Sequence, residues 1–165
     1  MPATYEPIAT TTLGSAASTI TFSSIPATYT DIRLVLVYTV STTSSVPILQ
    51  FNNDTSALYS RTYINGNGAS ASSARSTGSN DVNLAFQVNT SIPQMVTIDV
   101  MSYAGSTNKT SLITTVEDKN GSGSVNRMVA LYRSTTAIST LNLGIAFGGN
   151  YSIGTTATLY GILKA

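Results

Sequence analysis

The apolar residues of this chain fall in short alternating runs, and that alternation limits the fold more than any other feature. Almost every run is rich in Val, Ile, Thr, Tyr and Leu and is closed by Gly, Ser, Asn or Pro. Successive side chains of a strand point to opposite faces, so a period of two marks a strand, and a helix would need a period near 3.6. Residues 31–40 carry the strongest pattern. Ile32, Leu34, Leu36, Tyr38 and Val40 share one face, while Val35 and Val37 lie on the other. Such a strand is apolar on both faces and calls for cover on both sides. Further strands are expected at 18–22, 48–51, 59–64, 83–88, 95–101, 110–116, 127–133, 138–147 and 156–163. In 95–101 the apolar face is Val96, Ile98 and Val100, and in 138–147 it is Leu141, Leu143, Ile145 and Phe147.

The connections read as turn chemistry. Residues 65–80, opening with Asn65-Gly66-Asn67-Gly68, are almost wholly Ser, Ala, Gly and Asn and are expected to form the longest loop. Lys119-Asn120-Gly121-Ser122-Gly123 reads as a hairpin, because Asn-Gly favours the positive φ of a type I′ turn. Gly148-Gly149-Asn150 joins the last two strands. No stretch sustains helical periodicity. The predicted fold is an all-β, antiparallel β-sandwich of jelly-roll-like type, with strand order left open. Residues 1–17 are read as an N-terminal arm or first strand, and 18–165 as a single β-sandwich domain.

Charge narrows the functional classes. Only 9% of the 165 residues are charged, against about 25% in ordinary soluble domains, and the net charge is +1. Ser and Thr, 23 and 26 of them, supply the polar surface instead. The eight basic residues are scattered, so neither nucleic acid nor an acidic membrane is an expected partner. A chain of such low net charge relies little on repulsion to stay apart from its copies, which suits a subunit of an assembly. The absence of His and Cys removes the commonest general base, the thiolate nucleophile and the commonest transition-metal ligands. The expectation is a protein that is not an enzyme and needs no cofactor. No apolar run reaches membrane-spanning length, and the first residues show no secretory signal pattern.

A few clusters merit chemical scrutiny. Asn52, Asn53 and Asp54 offer oxygen ligands of the kind Ca²⁺ takes. A single carboxylate makes a poor site, so an Asx-turn at a strand corner is the preferred reading and no metal is expected. Glu117-Asp118 is the one adjacent carboxylate pair, read as a charged hairpin tip rather than a glycosidase pair. Asp99 is expected to pair with Arg127 or Arg133 across the sheet. Val35, Val37 and Tyr38 are the candidate interface residues.

Several blocks together resemble a known family. Residues 20–34 (ITFSSIPATYTDIRL), 49–55 (LQFNNDT) with Tyr59-Ser60, the Gly-rich stretch after Ile64, and 157–162 (ATLYGI) resemble small phage virion structural proteins. These are capsid decoration or tail-associated proteins of phages of aquatic bacteria. The resemblance implies a capsid decoration (cement) protein, a homo-oligomer with a trimer favoured, seated on the phage major capsid protein in the virion after assembly in the host cytoplasm. The alternative is a tail or fibre domain that binds host surface glycan through residues 65–80 and 119–123. The resemblance carries no catalytic residues over to this chain.

Overall fold

The computed structural model describes residues 4–85 and 88–163. Alternation drives its architecture. Among the described residues there are twelve strands: β1 (Tyr5–Thr12), β2 (Thr19–Phe22), β3 (Asp31–Tyr38), β4 (Val46–Phe51), β5 (Tyr59–Gly66), β6 (Ala71–Ser79), β7 (Val82–Asn83), β8 (Gln94–Met101), β9 (Lys109–Asp118), β10 (Gly123–Tyr132), β11 (Leu141–Ala146) and β12 (Thr156–Ile162). They form two antiparallel sheets, an eight-stranded one ordered β1-β12-β3-β8-β9-β10-β5-β6 and a four-stranded one ordered β2-β11-β4-β7.

Outside the hairpins β5–β6 and β9–β10 the chain crosses between the sheets at each step except from β4 to β7, which gives the jelly-roll-like topology. The four strands β1-β12-β3-β8 face β2-β11-β4-β7, an eight-stranded core of two interlocked Greek keys. Two hairpins are inserted into it. β9–β10 continues the large sheet beyond β8, and β5–β6 continues it beyond β10. The result is a wing that widens one sheet only.

The core lies between the sheets. Leu34 and Leu36 of β3, Ile98 of β8, Ile113 of β9 and Leu159 of β12 meet Leu49, Leu141 and Leu143 of the small sheet, all essentially buried. Burying each such side chain contributes roughly 1.5–3 kcal/mol. Under the wing the packing turns aromatic. Tyr59 and Tyr132 stack at 4.8 Å, and Phe51 leans on Tyr132 at 5.6 Å. Gly161 of β12 is required by close approach, since a Cβ there would sit 2.3 Å from the Tyr29 ring.

The strands lie close to the expected spans, with informative departures. Residues 65–80 are not a loop: Ala71–Ser79 is an edge strand paired with β5, with one bulge at Gly78, and closed by a turn at Asn67–Ser70. Its Ser and Ala residues are exposed except for half-buried Ser76 and Ser79, so it carries no apolar alternation to betray it. Tyr5–Thr12 takes the first-strand form of the N-terminal expectation and pairs along its length with β12, rather than lying free as an arm. The strand expected at 83–88 is reduced to Val82–Asn83, and part of it, 86–87, lies outside the described residues. The strand expected at 138–147 begins only at Leu141. The Asn-Gly hairpin is as expected, with φ +54 at Asn120 and +114 at Gly121.

Candidate interaction surface

The large sheet has a second, outward face, and register aligns its side chains in four rows. One row runs Thr156, Val37, Met95, Val116, Val125 and Gly66 across β12, β3, β8, β9, β10 and β5. The next runs Thr158, Val35, Thr97, Thr114, Arg127 and Ile64. A third runs Tyr160, Arg33, Asp99, Leu112, Val129 and Thr62. The last lies at the end of the β3–β8 ladder, with Ile162 opposite Asp31 on one side of it and Met101, Thr110, Leu131 and Ser60 in register on the other. Aliphatic residues and Met hold 11 of these 24 positions, concentrated on β3, β8, β9 and β10, and Thr, Ser, Tyr, Gly, Asp and Arg hold the rest. Val125 is 57% exposed, Val129 49% and Ile64 62%. None of the described residues covers them, whereas the inward face of the same strands is closed by the small sheet and its loops.

Of the candidate interface residues, Val35 and Val37 lie on this face, half-buried and exposed respectively. Tyr38 does not. It is the next residue along β3, so alternation turns it inward, where it is 1% exposed and packs edge-on against Tyr151 at 5.9 Å. Burial raises its hydroxyl pKa well above the ordinary value, with a smaller contribution from Glu117. Its Oη has no hydrogen-bond partner among the described residues. The wider face, above all Val125, Val129, Ile64, Met95 and Met101, was not singled out from sequence. The signal was present, because 123–132 alternates Val125, Val129 and Leu131 against Met128, Ala130 and Tyr132.

Asp99 pairs with neither Arg127 nor Arg133. Register places it opposite Arg33 of β3, which binds it in a fork, Nε to Oδ1 at 2.5 Å and Nη2 to Oδ2 at 2.9 Å. Arg33 is held charged by that bond. Arg133 reaches back to the Ala57 carbonyl instead.

The corner Asn52-Asn53-Asp54 is a tie between segments. Asn52 and Asn53 take positive φ, which Asn tolerates best after Gly. Asn52 donates to the Ala137 carbonyl at 2.9 Å and accepts from the Ser139 and Thr140 amides. The Asn53 carbonyl oxygen accepts from Asn142 at 2.7 Å. Asp54 accepts from the Ser56 amide and hydroxyl and, at 2.7 Å, from the Tyr132 hydroxyl. These bonds, Ser56 first, hold the Asp54 carboxyl below its ordinary value. The three side chains point to three different segments, so they do not converge on one ligand.

Glu117 and Asp118 also part company. Glu117 ends the inward row of β9, buried beside Gln94, Ser124 and Lys119, with the Lys119 ammonium 3.6 Å away. It is a buried group rather than part of a charged tip. Asp118 faces solvent and accepts the Asn120 amide at 2.7 Å. Beside them, the turns at Asn67-Gly68 and Asn120–Gly123 flank a cleft of about 780 Å³ floored by Met95, Val116 and Val125. The two segments proposed from sequence as glycan loops thus share one opening.

One buried cation escaped the sequence reading. Lys109 opens the inward row of β9 and is fully buried, its ammonium donating to the carbonyls of Gly105 at 2.7 Å, Thr107 and Ser134. Burial lowers its pKa.

No protein-family model matches the chain, and no curated protein resembles it closely enough to match.

Proposed function

We propose that this chain is a structural subunit of a bacteriophage virion, acting by assembly as a capsid decoration (cement) protein. The observation that carries this reading is the uncovered aliphatic face of the widened sheet on a chain with almost no net charge. A face of that kind gains free energy only when another protein surface covers it. The fold agrees, since double-sheet jelly rolls recur in capsid domains. So do the sequence blocks that resemble small phage virion proteins. In this reading a small homo-oligomer, with a trimer favoured, sits on the major capsid protein. It stabilises the shell by mass action, because each contact exists only in the assembled particle.

The test is binding of the purified protein to expanded empty shells. Saturation at a symmetric stoichiometry, with a raised melting temperature of the shell, is expected. A protein that ignores shells and is retained on host cells overturns the decoration role. That second outcome belongs to the tail or fibre reading, which the cleft between the two glycine-rich turns favours. Among the described residues its lining includes no aromatic ring for a sugar to stack on. Retention on a glycan array, lost in Val125→Arg, is the result that reading requires.

A further inference from the structure

We infer that the outward face of the large sheet is a contact between copies of this chain. The inference rests on the reading of the protein as an assembling subunit and names the partner for one surface of it.

Area is the first argument. Six strands, β12 to β5, spaced about 4.8 Å apart and contributing residues that rise about 3.3 Å each, outline roughly 600–700 Å². A stable pairwise interface covers about 800 Å² per partner. The face is therefore close to what a lasting contact needs.

Charge is the second argument, and it selects the occupant. Within the four rows the ionic groups are Asp31, Arg33, Asp99 and Arg127, two of each sign. Arg33 and Asp99 neutralise one another within the copy. Asp31, on β3, accepts the Ser102 amide at 2.6 Å, and Arg127, on β10 toward the opposite side of the face, is exposed. At the border of the face Asp118 of β9 and Arg75 of β6 add one further group of each sign. A surface with acids and bases in equal number can meet its own copy with Arg127 set against Asp31. A strongly acidic or basic partner would find nothing here to match.

The third argument is contrast. The small sheet turns outward Thr19, Thr21, Gln50 and Asn142 beside Val46 and Ile48. Its polar groups bond within the sheet and to nearby backbone, as in Thr21 to Asn142 at 2.8 Å and Gln50 to the Asn80 carbonyl at 3.1 Å. Val46 and Ile48 are half-buried, whereas Val125, Val129 and Ile64 of the large sheet are exposed.

The experiment is sedimentation equilibrium of the full chain across a wide concentration range, without shells. The wild type is expected at an integer multiple of its 17.2 kDa mass. Val129→Asp sits on the contact but is exposed in the single copy, so its far-UV circular dichroism should stay that of the wild type. It places an uncompensated charge in the contact and should weaken association by more than about a hundredfold. Ile64→Asp should act likewise, and Thr19→Asp, on the other sheet, should leave the assembly intact. A wild type that stays monomeric at every concentration overturns the inference, and so does a Val129→Asp protein that is folded and still assembled. Because no shells are present, these results leave the decoration role to its own test.

Discussion

Asp54 shows how one side chain can govern a corner. It binds the Ser56 amide and hydroxyl on one side and the Tyr132 hydroxyl on the other, so it couples the β4–β5 connection to the aromatic stack under the wing. Its pKa is depressed in the folded chain. The stability it supplies is therefore fully present above the ordinary carboxylate value and is lost as pH falls through the lower folded one. Asp54→Asn should flatten the acid limb of a stability-versus-pH curve, measured by urea unfolding between pH 2 and pH 6, and leave the neutral limb parallel to wild type. Tyr38 makes the opposite case. Its hydroxyl is buried without a partner, so Tyr38→Phe should be neutral or stabilise by up to about 1 kcal/mol in the same assay. Lys109 is the costly one to alter, because Lys109→Met leaves the Gly105, Thr107 and Ser134 carbonyls without their donor. A loss of about 1–3 kcal/mol is expected. Of these three, only the Asp54 turn was legible in sequence, since an Asx-turn is a local device. The partners of Tyr38 and Lys109 are set by tertiary packing, which residue type alone does not report.

Elements were legible where alternation and turn chemistry agreed. β3, β8 and β10 stand close to where their patterns put them, and the Asn120-Gly121 turn takes the positive φ that its residues favour. Gly121→Ala forces a Cβ into that conformation and should cost about 1 kcal/mol or more, with the loss confined to unfolding rather than to the outward face. Gly161→Ala is harsher, because the Tyr29 ring lies across the position. A drop in melting temperature large enough to read in a calorimeter is expected, and a second change, Tyr29→Ala, should recover part of it. What remained hidden was β6. Its Ser-Ala-Gly composition reads as loop, yet the β5 ladder supplies a register that needs no apolar side chains. Strand order was hidden for a related reason. Which strands neighbour one another depends on contacts between distant segments, and a period of two is silent about partners.

At the scale of the whole molecule the low charge and the two-faced sheet are one property seen twice. A chain with 15 charged side chains in 165 residues spreads little repulsion over its surface, so an aliphatic face is free to find cover. If assembly stabilises the fold, dilution must weaken it. The wild-type melting temperature should fall as the protein is diluted over several decades, while that of Val129→Asp should not move. The topology adds a constraint in time. Among the described residues β1 pairs with β12 alone, and β12 in turn fills the place between β1 and β3. A pairing between segments so far apart loses loop-closure entropy before it gains contact. That edge of the sheet is therefore expected to form late in folding, after the local hairpins that build the wing.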